Sequence, residues 1–454
     1  MLRAFPNSGD EYNYLFEAKT FLAGRLWNPE PPLSEVFSFF HTSFQDGKWF
    51  TQYPPGWSVL LALTMGLHLP AWLACPLAGG LLLFALFKLG QRREGPLGGA
   101  LAVGLVVFSP FFLFNAGSYF NHVPAAAAGL LFCWGGAAFF DRPRLSNAWL
   151  AGTALGALGF IRPLDALLLA CPFCVEGFWR AHGPHYRKMP ALIIGGLPFF
   201  AALLIYYEAI NGSIMPDGGQ ASPVRFGLFG VDEAGNTVTP LDNLWLAVTR
   251  IVMLADWTSP LLVLGYTAAL AWLGARHRLS FSDFIFPLFV MAYLFVPFTG
   301  GNQYGPRYYF EAWPFLILTV VSALTPLIRD AARPRIRLIA GSLVAAHGII
   351  CIGNAVIIGL FLRTLVDQRM DLYDQVRAGD LYNIVIIVQS ATSNIAPMKP
   401  RDLTRNGIAL DGEVIYALDI PDRLSELREM FPQRRFYIYE REPVASKGTL
   451  HPLW

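Results

Sequence analysis

The sequence predicts an all-α polytopic membrane bundle of about ten spans, followed by a small C-terminal extracytoplasmic α/β domain. The chain is 54% hydrophobic and 15% charged, whereas soluble domains carry roughly a quarter charged residues. Apolar runs of about 18–25 residues recur along it, long enough to cross a hydrocarbon core of roughly 30 Å. Residues 363–454 differ from the rest, with 12 basic and 13 acidic side chains typical of a soluble unit.

The apolar runs set the predicted spans. They lie at about 71–89, 97–115, 119–140, 147–161, 164–178, 189–207, 258–275, 282–299, 309–327 and 337–362. The fourth and fifth runs are short and are separated by the polar stretch RPLD. Segment 56–69 is too short to cross alone, so we expect an interfacial helix there.

Lysine and arginine predict the orientation of these spans. Five short loops hold 14 of the 34 basic residues and alternate with loops that are nearly free of them, so the basic loops are predicted to be cytoplasmic. The stretch 1–55, the loop 208–258 and the tail beyond 362 then lie outside, in a bacterial plasma (inner) membrane. Because the chain begins outside, either a preceding transmembrane helix is missing from this sequence or the short N-terminus crosses unaided, and we expect the missing helix.

Three domains follow from this organisation. Residues 1–70 form a first extracytoplasmic loop with interfacial helices, 71–362 the transmembrane domain, and 363–454 the soluble unit. The stretches NIVIIVQ, EVIYALDI and RRFYIYER predict three strands of that unit, with a helix at DRLSELREMF between the last two. We expect the unit to rest on the membrane domain.

Several classes of chemistry lack their motifs. There is no GxGxxG, P-loop or GxSxG, and no Asp-x-Asp pair to grip a nucleotide-sugar diphosphate through a metal. The five cysteines lie in apolar segments, and the pair Cys171 and Cys174 is interpreted as ordinary buried thiols. No metal site is predicted, no cofactor is required although a divalent metal remains possible, and basic residues sorted by loop give no surface for nucleic acid.

The polar side chains that could carry chemistry all lie on the predicted outer side. Ionisable groups at membrane depth cost roughly 2.5–3.5 kcal/mol each, so they are paired or functional. Arg162 is flanked by apolar helix and suits a phosphate or a carboxylate. The candidates are Asp10, Glu11, Lys48, Tyr53, Asn121, His122, Arg162, Gln303, Tyr304 and Arg307.

Five of the candidates also have a purely structural interpretation. Asp10 and Glu11 can cap a helix that begins near Ser8. Arg162 can pair with Asp165 three residues later, Arg307 can anchor a span at the interface, and His122 can be a buried hydrogen-bonding residue. These alternatives stay open from the sequence.

Four ordered motifs resemble the GT-C superfamily of polytopic glycosyltransferases. They are GDEYNYLFEAKTFLAGRL, QYPPGWSVLLAL, FIRPLDALLLA and YGPRYYFEAWPFLIL, within residues 9–361. The resemblance is to the bacterial, mannosyltransferase-like branch related to protein O-mannosyltransferases and to the aminoarabinose transferase of lipid A. In that family the first outer loop follows a transmembrane helix, which is absent here.

The resemblance implies roles for the candidates. Asp10 would be the catalytic base, with Glu11 as the neighbouring acid. The donor would be a sugar on a polyprenyl monophosphate, bound near Arg307, Tyr304 and Arg162. Contacts to acceptor or sugar would come from Lys48, Tyr53, Asn121, His122 and Gln303. Many relatives carry an Asp in the second outer loop, where this chain has Asn121 and His122.

The residues fit hexosyl or pentosyl transfer with inversion. A carboxylate accepts the incoming proton, a cation stabilises the departing phosphate, and a groove between spans holds the prenyl chain. The expected partners are the polyprenyl-phosphate sugar, membrane lipid, and a glycan, lipid or protein acceptor of the cell envelope. Three rival hypotheses remain: a transporter or flippase of lipid-linked sugars, an O-antigen-ligase-like enzyme with a diphosphate-linked donor, and a non-catalytic scaffold.

Overall fold

The structure is a computed structural model that describes residues 2–214, 227, 229–232, 236–298, 303–389, 400–441 and 447–453. The chain divides into two compact units. Unit 1 consists of Met1–Ala71, Tyr206–Ile214 and Gly359–Trp454, and unit 2 of Trp72–Ile205 and Met215–Ile358. The first and last segments of the chain therefore belong to the same unit.

The N-terminal segment of unit 1 combines helices with a small sheet. Its elements are α1 (Gly9–Leu22), β1 (Asn28–Pro29), α2 (Ser34–Phe37), β2 (Thr42–Gln45), β3 (Lys48–Thr51) and α3 (Gly56–Gly66). The sheet is antiparallel in the order β1-β3-β2, with Thr42 opposite Thr51. α3 is the short helix that the sequence predicts at 56–69.

Apolar helices of 7 to 45 residues dominate the rest of the chain. They are α4 (Ala74–Val107), α5 (Pro110–Ala116), α6 (His122–Asp141), α7 (Leu145–Ile161), α8 (Pro163–Arg180), α9 (Gly183–Asn211), α10 (Pro240–Trp257), α11 (Pro260–Gly274), α12 (Ile285–Ala292), α13 (Trp313–Arg329) and α14 (Pro334–Ala378). Among the described residues, four helices are long and apolar enough to cross a membrane by themselves: Ala71–Val107, His122–Asp141, Gly183–Asn211 and Pro334–Ala378. α10 and α11 meet at 114° and make a fifth span if they are counted together.

α4 is interrupted where the sequence separates two predicted spans. Glu94 and Gly95 have non-helical backbone angles, and Gly95 has φ +69°. The chain folds back there, and the helical segments on either side pack closely. A Cβ on Gly90 would lie 2.8 Å from the carbonyl oxygen of Gly98. Glycine permits both the positive φ and this close packing.

α10 is a helix that the sequence interpretation missed, since 208–258 is predicted as one long outer loop. Its start is marked by a capping box in which Thr239 and Asp242 bond each other's backbone amides, with Pro240 at the first helical position. These signals are visible in the sequence as TPLD. The helix also places Arg250, which is buried and donates to the carbonyls of Tyr293, Val296 and Phe298.

The tail forms the predicted α/β unit with one further strand. Its elements are β4 (Ile384–Val388), β5 (Val414–Leu418), α15 (Leu424–Met430), β6 (Arg435–Glu440) and β7 (Thr449–Pro452), in the sheet order β5-β4-β6-β7. β4 pairs in parallel with β5 and β6, whereas β7 is antiparallel and was not predicted. α14 continues to Ala378, so the predicted span end at 362 does not coincide with the end of the helix.

Both faces of this sheet are covered within unit 1. Val385, Ile387 and their neighbours pack against the N-terminal segment, including Phe16 and Trp49. On the other face, Ile384 and Ile386 pack against the last turns of α14. The strand is therefore a continuous apolar run, as expected for a central strand buried on both sides. The tail and the N-terminal segment share one hydrophobic core.

Candidate active site

α1 begins with an N-cap, Ser8, whose capping contacts also involve Glu11. The Glu11 amide donates to Ser8 Oγ over 3.2 Å, and Glu11 Oε2 accepts from the Asn7 amide at 2.8 Å and from Ser8 Oγ at 3.2 Å. Glu11 is fully buried. This is the capping interpretation of the acidic pair, and it occupies Glu11 rather than Asp10.

Asp10, the neighbouring acid, has different partners. Its Oδ1 accepts a 2.5 Å hydrogen bond from the Tyr53 hydroxyl and lies 3.2 Å from His41 Nε2. The Asp10 side chain is 9% exposed. Asp10 is thus a nearly buried carboxylate with one oxygen oriented by two ring side chains, which is the arrangement expected of a positioned base.

The β2–β3 hairpin brings these rings together. Because Thr42 pairs with Thr51, the residues just beyond the pair, His41 and Gln52, are opposite each other. Gln52 Nε2 lies 2.6 Å from His41 Nδ1, and Tyr53 follows directly. His41 is a site residue that the sequence reasoning missed, because only the hairpin register places it beside Asp10.

Lys48 is engaged away from Asp10. Its Nζ donates to the carbonyl of Ala209 over 2.8 Å and lies 4.7 Å from the centre of the Trp27 ring. A role for Lys48 in binding acceptor or sugar stays a prediction. Tyr53, predicted in the same role, contacts Asp10 directly.

Unit 2 contains a separate buried charge cluster around Arg162. Arg162 lies at the break between α7 and α8, which Pro163 enforces at the first position of α8. Its Nε contacts Asp165 and lies 3.1 Å from Glu311 Oε1. The Tyr293 hydroxyl accepts from Arg162 Nη2 at 3.0 Å and donates to Asp165 Oδ1 at 2.6 Å.

His122 completes this cluster. Its Nδ1 lies 2.9 Å from Glu311 Oε1, and Asn121 Oδ1 lies 3.4 Å from Arg162 Nη1. Arg162 supplies one positive charge against two carboxylates, so a proton on the His122–Glu311 pair makes the cluster neutral. The structure thus brings together three predicted site residues, Arg162, Asn121 and His122. It adds Tyr293, which no sequence signal indicated.

Arg307, Tyr304 and Gln303 belong to the polar turn before α13. Arg307 is 6% exposed, and its guanidinium carbon lies 4.3 Å from the centre of the Phe120 ring. Tyr304 is buried, and its carbonyl accepts from Asn115 at 2.9 Å. Gln303 is half-buried in the same turn.

The turn depends on a glycine between these residues. Gly305 has φ +91°, and a Cβ there would lie 2.8 Å from the Phe111 ring. Glycine is therefore required both by the backbone and by the space. It sets Arg307 against Phe120, where a cation is stabilised by the ring face.

An apolar cavity of about 420 Å³ lies between α7, α8 and α9 in unit 2. Its lining has no charged side chain; it includes Leu155, Leu167, Ile193 and Phe200. Pro163, the residue after Arg162, belongs to the lining. The cavity is suited to a hydrocarbon chain whose polar end is near the Arg162 cluster.

No metal centre is indicated in the part of the chain that the structure describes. There, no group of three or more His, Cys, Asp or Glu side chains is placed to hold a metal ion. Asp10 and His41 are two such side chains, but a third ligand is lacking among the described residues.

Comparisons with solved structures identify the fold. ArnT from Cupriavidus metallidurans in the apo state superposes with a TM-score of 0.53 at 11% identity, covering 94% of this chain and 84% of ArnT. ArnT bound to undecaprenyl phosphate gives 0.52 at 11% identity, covering 95% and 88%. The chain has the GT-C fold. The fold expected from the four motifs is thereby confirmed. The expectation of a multi-pass membrane protein is confirmed as well.

A third neighbour shares the fold over part of its length. The mycobacterial arabinofuranosyltransferase AftD gives a TM-score of 0.51 at 15% identity, covering 96% of this chain and 34% of AftD. This chain therefore spans about a third of AftD. No protein-family model matches the sequence, and no curated protein matches it.

Proposed function

We propose that the chain is an inverting membrane glycosyltransferase that moves a hexosyl or pentosyl group from a polyprenyl-phosphate donor to an extracytoplasmic acceptor, with Asp10 as general base. The observation that carries the proposal is Asp10 itself. It is a nearly buried carboxylate at the start of α1, oriented through Oδ1 by Tyr53 and His41. The GT-C fold, shared with ArnT that binds undecaprenyl phosphate, supports the class of donor.

The proposed reaction is a single displacement. An acceptor hydroxyl or amine attacks the anomeric carbon, and its proton passes to the Asp10 carboxylate. The bond between that carbon and the phosphate oxygen breaks, and polyprenyl phosphate leaves with the electron pair. Attack opposite the leaving group inverts the anomeric configuration. The step needs no diphosphate-binding metal, since the lipid phosphate is already a good leaving group.

The groups proposed to hold the donor are two arginines and an apolar cavity. Arg307 and the Arg162 cluster offer guanidinium groups for the phosphate, and guanidinium suits phosphate oxygens. The cavity between α7, α8 and α9 offers an apolar lining for the first part of the prenyl chain. In this proposal about ten spans cross a bacterial plasma membrane, and α1 and the tail face the outside, as the distribution of basic residues predicts.

The test is release of polyprenyl phosphate in liposomes. The full chain, with and without an added N-terminal transmembrane helix, would receive a panel of polyprenyl-phosphate sugars and an envelope extract as acceptor. Asp10→Asn keeps the shape but cannot accept the proton, so release should fall about 10²–10⁴-fold. Asp46→Asn is the matched control, because Asp46 lies exposed in the β2–β3 turn.

Three outcomes would contradict the proposal. Full release by Asp10→Asn would place the base elsewhere. Release only from diphosphate-linked donors would indicate the ligase-like enzyme. Movement of the intact donor between leaflets, without transfer, would indicate a transporter.

A further inference from the structure

We infer that His41 is a positioning residue for Asp10: its Nε2–H holds Asp10 Oδ1 so that the carboxylate is oriented and ionised for proton acceptance. The inference rests on the proposed function. No pattern in the sequence predicts a role for His41. It stands on three separate features of unit 1: the hydrogen-bond chain, the docking of the turn, and the backbone angle of His41.

The hydrogen-bond chain fixes the tautomer of His41. The amide nitrogen of Gln52 can only donate, so His41 Nδ1, at 2.6 Å, is the acceptor. In a neutral imidazole the proton is then on Nε2, which lies 3.2 Å from Asp10 Oδ1. Nε2 therefore donates to Asp10 and does not compete with it as a base.

The turn that carries His41 is docked on α1. Asn13 Nδ2 donates to the carbonyls of Gly9, at 2.7 Å, and Phe40. A Cβ on Gly9 would lie 2.7 Å from Phe40 Cβ, so the turn and the helix are packed as closely as glycine allows. The turn is closed by Thr42, whose amide and hydroxyl both donate to the carbonyl of Phe39.

His41 adopts a left-handed backbone conformation, with φ +64°. Such angles are disfavoured for residues other than glycine and are held only where the surroundings enforce them. An extended His41 would direct its ring away from the hairpin end. The angle instead places the ring between Asp10 and Gln52, with an edge-on contact to Tyr53 at 5.6 Å.

The consequence for the reaction concerns the charge state of Asp10. A hydrogen bond donated to the ionised form stabilises that form and lowers the pKa of the carboxyl. Removing the donor should therefore move the acid limb of the pH profile of kcat to higher pH. A residue that only supports the fold would lower the amount of active protein without moving that limb.

The experiment compares three variants of the full chain in the liposome assay. His41→Phe removes the donor while keeping a ring, and should lower kcat about 10- to 100-fold, as expected for a lost hydrogen bond to a charged group, with the donor KM unchanged. His41→Gln places an amide N–H near the same site and should recover most of that loss. Gln52→Leu, on the exposed side of the hairpin, removes the hydrogen bond that sets the His41 tautomer. It should shift the acid limb of the kcat pH profile to higher pH by a smaller amount than His41→Phe does.

The outcomes are distinct. His41→Phe with wild-type kcat and an unmoved acid limb overturns the inference. His41→Gln as inactive as His41→Phe also overturns it, because the imidazole would then do chemistry that an amide cannot. If His41→Phe does not fold, the test rests on Gln52→Leu. An unmoved acid limb in Gln52→Leu then overturns the inference that His41 positions Asp10. Loss of release in Asp10→Asn with full activity in His41→Phe rejects this inference alone, whereas full release in Asp10→Asn rejects the proposed base.

Discussion

At the scale of single residues, three carboxylates of α1 have three different surroundings. Asp10 is oriented by Tyr53 and His41, and Glu11 accepts from the Asn7 amide beside the N-cap. Glu17, two turns later, is buried and accepts a 2.5 Å hydrogen bond from the Tyr206 hydroxyl. Residues 10 and 17 lie on the same helix face, since seven residues make about two turns. One short helix therefore carries a candidate base, a cap and a buried acid.

Glu17 should make stability depend on pH. Burial raises its pKa to about 7, against 4.5 in an unfolded chain, and the hydrogen bond from Tyr206 only partly opposes this. Between those values the folded chain binds a proton that the unfolded chain has lost. The unfolding free energy should thus fall as pH rises from 4.5 to about 7, by at most about 1.4 kcal/mol per pH unit.

Glu17→Gln should remove this dependence, because the amide stays neutral. Thermal unfolding of the full chain at pH 5 and pH 8 would measure it. The variant should be close to the wild type at pH 5, where most of the proton-linked stability is still present, and exceed it at pH 8. Glu429→Gln, exposed on α15, is the control. Equal pH dependence in wild type and Glu17→Gln would show that Glu17 titrates as it does in the unfolded chain.

The sequence predicts which site residues are important more easily than it predicts their hydrogen-bond and ion-pair partners. The acidic pair was visible as DE at the start of a helix, and both its capping and its catalytic interpretations were open. The geometry shows the capping contacts at Glu11, while the catalytic interpretation stays a prediction. Arg162 with Asp165 was also visible, because three residues along a helix bring side chains together. His41 and Tyr293 could not be found, since their partners are distant in sequence.

At the scale of elements, α1 depends on the capping contacts of Ser8 and Glu11. Glu11→Gln should leave stability unchanged and activity within about threefold of wild type, since the glutamine side-chain oxygen can accept the same hydrogen bonds. Glu11→Ala should lower the unfolding free energy by about 1 kcal/mol, the usual effect of a lost cap. Release assays and thermal unfolding of both variants would test this. An inactive but stable Glu11→Gln would return Glu11 to the catalytic residues.

The helices also show what apolar runs predict well. Most predicted spans contain a helix with similar bounds, because a run of apolar residues is specified locally. The turn at Gly95 was placed correctly between two spans for the same reason. α10 was missed because its polar start and mixed composition resemble a loop, although the capping box TPLD marks it. The end of α14 was missed because its last turns are polar on the outside while Leu372 and Val376 pack on the sheet.

At the scale of the whole molecule, the tail is part of the core beneath α1. Tyr12 packs in the same cluster as Val385 and Ile387, and its hydroxyl donates to the Asn406 carbonyl. Arg405 lies over the rings of Phe5 and Tyr12, at 4.6 and 5.5 Å. All three of its guanidinium nitrogens are buried without a hydrogen-bond partner among the described residues, so ring faces are the contacts that stabilise its charge.

Ile387→Ala should therefore disturb α1. Deleting a buried Ile side chain lowers the unfolding free energy by about 2–5 kcal/mol. Hydrogen exchange should rise in α1 as well as in the sheet, and release of polyprenyl phosphate should fall with it. Tyr382→Ala is the control, since Tyr382 is exposed just before β4. Unchanged exchange in α1 would show that the two segments fold independently.

This shared core is the part of the architecture that the sequence could not predict. The strands of the tail followed from their β-branched runs, and β7 was too short to stand out. No local pattern, however, states which surface a sheet will cover. Within unit 1 the sheet packs against the N-terminal segment, and the expectation that the tail rests on the membrane domain stays a prediction.

The order of synthesis gives this arrangement a further meaning. Tyr12 and Asn406 are 394 residues apart in the chain, so at about 5–20 residues per second a ribosome makes the second roughly 20–80 s after the first. Throughout that interval the helix bearing Asp10 has no sheet to fold upon. A polypeptide that stops before residue 384 lacks the sheet against which this helix packs.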